Sequence, residues 1–129
     1  MIAVDKKYIG IPFDVMNCWQ FICHYFRTEF TIELPDFNDE YTDADDKEKI
    51  VRLYERETAN RIWPPTDHPQ HPDIVVFKIN GYLWHAGIVL GDRRMLHTQR
   101  GCNSVIEKYN SHRWRNRLHG FYRHQPDEG

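Results

Sequence analysis

A chain of 129 residues, 40% of them hydrophobic, has enough apolar material for one compact domain and no room for a second core. A net charge of −2, with no run of Arg or Lys, lacks the electrostatic footprint that nucleic-acid binding needs. Three cysteines do not make a disulfide framework, and no apolar stretch approaches the roughly 20 residues that span a bilayer. No N-terminal segment reads as an export signal, so the expected product is made in the cytoplasm with neither nucleic acid nor membrane as partner.

In chain order, Gly10-Ile-Pro12-Phe-Asp14 reads as a turn into a helix running from about Asn17 to Phe30, with Asp14 and Asn17 both good N-cap types. Trp19, Ile22, Phe26 and Phe30 follow helical spacing. Phe21 and Tyr25 widen that stripe to a nearly all-round apolar surface, which places the helix in the centre of the fold. Asp36 to Asp46 is acidic and reads as a loop. Residues 44–62 read as a polar helix with a thin apolar face of Ile50, Leu53, Tyr54 and Ile62, ended by Trp63-Pro-Pro65 and the prolines up to Pro72. Asp73-Ile-Val-Val-Phe-Lys-Ile79 is a short β-branched strand, and Asn80-Gly81 is the strongest two-residue hairpin signal. Tyr82 to Leu90 returns as its partner, and Gly91–Arg94 turns again. Met95–Thr98, Ser104–Lys108 and Gly120–Arg123 complete a sheet of about five strands. One helical block followed by an antiparallel meander predicts an α+β fold.

Three residues carry candidate chemistry. Cys18 sits where the buried helix begins, where unpaired N–H groups lower a thiol's pKa and favour thiolate. By position alone, a packed core thiol is the commoner reading. Cys23 lies about 140° round the helix at the roughly 100° turn per residue and reads as packing, and Cys102 reads as a turn residue. A Cys18–Cys23–His24 cluster matches no familiar metal-ligand spacing. His85 lies in an otherwise apolar strand and shares one face with Gly87 and Val89, and Gly87 leaves space beside the imidazole. A lone strand histidine is more often structural. His97, in the strand expected to run antiparallel to it, is placed to hydrogen-bond His85 and fix its tautomer.

A cysteine at a helix start, then Asp73-Ile-Val-Val-Phe, then His85-Ala-Gly-Ile-Val-Leu-Gly91, then Leu96-His97 resembles the NlpC-type family of papain-like cell-wall peptidases over roughly residues 8–123. The resemblance implies Cys18 as nucleophile, His85 as general base and His97 as the orienting third residue. It also implies the Cys18 backbone N–H in the oxyanion site and Tyr8 as a residue lining it. No cofactor or metal is implied. The implied substrate is a peptidoglycan stem peptide, cut between D-glutamate and the following diamino acid. Alternatives are an amidase cutting between sugar and stem peptide, or a non-catalytic structural tail component. The sequence departs from the common pattern at Asn17-Cys18-Trp19-Gln20, at Pro72-Asp73 and in the charged insertion at 36–72. Cys18-Trp19, Leu34-Pro35 and Gly120-Phe-Tyr-Arg123 resemble the phage-tail branch. That branch implies tail-tip proteins as partners and action on the periplasmic or extracellular wall from a virion.

Overall fold

The structure, a computed structural model, describes residues 1–35, 47–60, 62–99 and 101–125. The acidic loop expected at 36–46 lies outside them.

Helix α1 (Cys18–Phe30) begins at a reciprocal capping box. The Asn17 side chain accepts from the Gln20 N–H, and the Gln20 side chain accepts from the Asn17 N–H, both at 3.0 Å. Trp19, Phe21, Ile22, Cys23, Tyr25 and Phe26 are buried, as an all-round apolar helix requires. Phe30 departs from that expectation. It occupies the last helical position, where its ring meets Tyr25, Phe26 and His71, and is 38% exposed. Helix α2 (Lys47–Thr58) ends before the 62 expected, and residues 44–46 of the expected range lie outside the described ones; it buries Leu53 and Tyr54 of the expected face and adds Val51.

Among the described residues six strands form one antiparallel sheet: β1 (Pro65–Thr66), β2 (Ile74–Ile79), β3 (Tyr82–Gly91), β4 (Arg94–His97), β5 (Val105–Lys108) and β6 (Leu118–Tyr122), in the order β1-β6-β2-β3-β4-β5. The two-residue β1 falls in the proline-punctuated stretch read only as a helix stop. At the sheet edge a proline is tolerated, because its missing N–H faces no partner strand. Asn80 (φ 54°) and Gly81 (φ 84°) both adopt the left-handed conformation that a two-residue hairpin turn requires. Asp92 and Arg93 close the β3–β4 hairpin in the same way without a glycine.

β2 is apolar on both faces because both are covered. Ile74 and Val76 join α1, Tyr54 and Trp63 in one core. Val75 and Phe77 face the other way, against Val89, Met95, Tyr109 and Trp114. Ahead of β2, the buried Asp73 carboxylate accepts from Arg123 Nε at 3.0 Å and Nη2 at 3.1 Å, and from the Gln70 N–H at 2.9 Å. A buried charge needs such pairing, and this pair fastens the end of β6 to the start of β2.

Two local features of β3 set how it meets its neighbours. Phe77 pairs with His85 but Lys78 pairs with Leu83, so Trp84 is an extra residue, a bulge that re-aims the side chains around it. Further along, a methyl group on Gly87 would stand 3.1 Å from His97 Cβ and 3.1 Å from Met95 Sδ. The space that Gly87 leaves beside His85 is therefore filled by β4. The His97 Cβ is bound directly to the β4 backbone and has little freedom to yield. Gly87→Ala is expected to lower the unfolding free energy by about 1–3 kcal/mol, the usual cost of overpacking, measured by urea denaturation. A midpoint equal to that of the parent would mean that the two strands separate freely here.

Candidate active site

Where the two cores meet, a cavity of about 200 Å³ opens between α1, α2 and the sheet. Cys18 enters it from the first turn of α1, Tyr54 from α2, Trp84 and His85 from β3, and Arg113 and Trp114 from the segment between β5 and β6. In a regular strand Trp84 and His85 would point to opposite faces; the bulge lets both line one cavity.

His85 is held from behind by a chain of hydrogen bonds. Its Nε2 lies 2.8 Å from His97 Nδ1, so the cross-strand contact expected from the sequence is present. His97 Nε2 lies 2.8 Å from Glu107 Oε1 on β5. The same oxygen accepts a hydrogen bond from Trp114 Nε1 at 2.9 Å. The Trp114 indole stacks on the His85 ring, with centroids 5.1 Å apart and planes 18° apart, and stands perpendicular to the His97 ring at 5.4 Å between centroids. Phe77 covers His85 further, with centroids 5.8 Å apart. Only 4% of His85 and 2% of His97 is exposed. Burial therefore pushes the pKa of His85 well below the ordinary imidazole value, and His97 and Arg113 push it the same way. Burial also lowers His97, against the opposing pull of Glu107. Both rings are neutral at pH 7, and His85 is left with one nitrogen, Nδ1, outside the chain.

Cys18 does not behave as its place on the helix suggested. Part of the residue opens to the cavity, but protein surrounds the sulfur, and that burial pushes the thiol above its ordinary range. Hydrogen bonds from the Tyr54 hydroxyl and from backbone groups of Ala86, Trp19 and Cys18 itself pull the other way without prevailing. Desolvation thus outweighs the helix N-terminus, and the resting group is a thiol, with Tyr54 Oη 3.1 Å from Sγ. The backbone contact to Ala86, the residue after His85, brings the sulfur beside the strand that carries His85. A neutral thiol and a neutral imidazole lining one cavity are suited to attack in which the proton leaves sulfur as the new bond forms.

Tyr8 is not in this site. It is 1% exposed, its hydroxyl donates to Glu29 Oε1 at 2.5 Å, and its ring packs on Tyr25 behind α1. The short interval from Tyr8 to Cys18 spends itself on a turn and directs the tyrosine to the far side of the helix. Cys23 is buried with Sγ 3.7 Å from the Pro35 carbonyl, and Cys102 is exposed in a turn. Among the described residues no group of three or more His, Cys, Asp or Glu side chains is arranged to hold a metal ion. Sequence reading missed Glu107, Trp114 and the approach of Tyr54 to the thiol. The alternation within β5 placed Glu107 on a definite face, and that was the one available signal.

The sequence model of the NlpC/P60 family matches residues 7–123. No curated protein matches the chain. Among solved structures, an NlpC/P60 family protein from Bacillus cereus ATCC 10987 is similar with a TM-score of 0.66 and 19% identity, over 94% of this chain and 38% of that one. A protein from Staphylococcus aureus subsp. aureus Mu50, described as similar to lipoprotein, NLP/P60 family, has a TM-score of 0.61 and 18% identity, over 95% of this chain and 39% of that one. The chain thus spans somewhat more than a third of the length of either. At these identities the two structures speak for the fold, an α1 helix packed on an antiparallel sheet. The extent of the sequence match is what decides descent: this chain belongs to the NlpC/P60 family.

Proposed function

We propose that the chain is a cysteine peptidase of the bacterial cell wall that hydrolyses a peptide bond in peptidoglycan stem peptides, between D-glutamate and the diamino acid. Membership of a family whose members are generally cysteine peptidases supports the chemistry. The observation that carries it is the cavity in which a helix-start thiol and a strand imidazole meet, with the far nitrogen of that imidazole tied to a second one. In this reading His85 Nδ1 takes the Cys18 proton as Sγ attacks the scissile carbonyl. The N–H of Cys18 in the first turn of α1, which has no partner within the helix, turns to the developing oxyanion. His85 returns the proton to the departing amine, and water, deprotonated by the same nitrogen, releases the acyl group from sulfur. Tyr54 holds the thiol in place until substrate arrives.

Delivery by a phage tail, with tail-tip proteins as partners, is part of the same proposal and rests on sequence features that make contact in the fold. The Trp19 indole N–H donates to the Pro35 carbonyl at 2.8 Å, which joins the Cys18-Trp19 and Leu34-Pro35 signatures.

Mass spectrometry of muropeptides released from purified sacculi tests the reading directly. The expected products end in free D-glutamate on one side and a new diamino-acid amine on the other. Release of intact stem peptides from the sugar would make the enzyme an amidase instead. Cys18→Ala should reduce the rate about a thousandfold or more, as loss of a covalent nucleophile does, while Cys23→Ala and Cys102→Ala retain most of it. Wall hydrolysis by Cys18→Ala at the parental rate would overturn the mechanism.

His97 contacts the base and does not line the cavity, so its two substitutions should diverge. Asn keeps a carbonyl that can accept from His85 Nε2, and Ala does not. His97→Asn is expected to retain far more activity than His97→Ala, read as kcat on a soluble stem peptide. Equal loss in both would remove His97 from the mechanism.

A further inference from the structure

Behind the two histidines, Glu107 occupies a position that neither packing nor surface solvation explains. It sits on β5, its side chain is 29% exposed, and its Oε1 collects two donors, His97 Nε2 at 2.8 Å and Trp114 Nε1 at 2.9 Å. An indole N–H can only donate, so this oxygen is an acceptor whatever state the histidines adopt. The other oxygen, Oε2, lies 3.9 Å from Arg113 Nη1, and the Arg113 guanidinium rests 4.9 Å from the Trp114 ring centre. Two donors of fixed position thus hold the carboxylate in one orientation.

That orientation has a consequence two residues away. A carboxylate only accepts, so His97 Nε2 must carry its proton. A neutral His97 with the proton on Nε2 offers Nδ1 as an acceptor. His85 Nε2, 2.8 Å from it, must then be the donor. A neutral His85 with its proton on Nε2 keeps a lone pair on Nδ1. That nitrogen alone lies outside the chain, on a ring that shares the cavity with Cys18. Each step is forced by donor and acceptor count. Were the acceptor at Glu107 lost, His97 could carry its proton on either nitrogen. In one of the two resulting arrangements His85 Nδ1 is protonated and cannot accept from the thiol.

We propose that Glu107 is a positioning residue for the reaction at Cys18: by accepting from His97 it sets the tautomers of both imidazoles in series and leaves His85 Nδ1 free to take the thiol proton. The inference rests on the proposed peptidase function for its purpose but not for its first test, which needs no substrate. Trp114 serves the same end twice, as a second donor that orients the carboxylate and as the plane on which His85 lies.

The experiment has two arms on the intact chain. In the first, the resting protein with 15N-labelled histidine is examined by NMR at neutral pH. His85 and His97 are assigned by the loss of signals in His85→Asn and His97→Asn. Both rings should be neutral with the proton on Nε2. A proton on Nδ1 of either ring in the parent protein overturns the proposal, whether or not the protein cuts the wall. Glu107→Leu should give mixed tautomers for both rings, and Glu107→Gln, which keeps an oxygen for both donors, should retain the parental ones. In the second arm, kcat and KM are measured on a soluble stem peptide. Glu107 does not line the cavity, so Glu107→Leu should lower kcat on the order of a hundredfold, within the range of general-base contributions, at nearly unchanged KM. Glu107→Gln should restore kcat to within about tenfold of the parent, because the acceptor survives and only its charge is lost. A loss confined to KM, or Gln and Leu variants equally impaired, overturns it as well. Correct tautomers in a protein inactive on every stem peptide would count against the peptidase reading and leave the tautomer chain standing.

Discussion

The hydrogen bond between His85 Nε2 and His97 Nδ1 is the interaction around which this site is arranged. It joins two adjacent strands through side chains, and several features elsewhere answer its needs. Gly87 has no side chain because His97 Cβ occupies the place where one would go. The bulge at Trp84 alters the direction of β3 immediately before His85. Trp114 arrives from a segment without regular structure to cover both rings at once. A buried pair of imidazoles could be a liability, since an unsatisfied polar group in a core costs about 1–3 kcal/mol. Here three of the four ring nitrogens are satisfied within the chain, and the fourth belongs to a ring that lines the cavity.

The protonation states are set by burial more than by any nearby charge. For Cys18 two effects compete: the helix N-terminus and neighbouring hydrogen bonds favour the thiolate, and removal from water favours the thiol. Desolvation is the larger. Both histidines are displaced in the corresponding sense for bases, towards the neutral form. Thiol and imidazole are thus each uncharged at rest, and in the proposed reaction charge separation waits until a carbonyl and its oxyanion donors are present to stabilise it. Burial of both groups makes this the cheaper resting state, because an ion pair there would give up more hydration than its attraction returns.

Elements whose signal is local were legible in the sequence. The capping residue Asn17, the apolar stripe of α1, the Asn80-Gly81 turn and the β3 strand that follows it each have a signal within a few residues, and each is present in the fold. His97 was legible as a partner for His85 because a tight turn fixes the pairing of consecutive strands. What lay outside reach depends on encounters between distant segments. Tyr54 approaches Cys18 across 36 positions, and Trp114 meets His85 only because the chain between β5 and β6 folds back over the sheet. Glu107 meets His97 only through the pairing of β5 with β4, which sets His97 opposite Val105 and so on the face that Glu107 shares. Tyr8 failed for the converse reason: its distance from Cys18 in sequence is short, but the turn at Gly10 and Pro12 carries it behind the helix.

A site at rest as neutral thiol and neutral imidazole is tested most directly by the pH dependence of Cys18 alkylation. Iodoacetamide labelling would be followed by mass spectrometry on the intact protein, with the exposed Cys102 replaced by Ser to leave one accessible thiol. Because burial raises the thiol's pKa, the rate should be low through neutral pH and climb continuously above it as thiolate forms. A preformed thiolate–imidazolium pair would instead react on a broad plateau beginning near ~pH 4, as cysteines strongly activated by histidine do. A plateau of that kind would contradict a neutral resting pair.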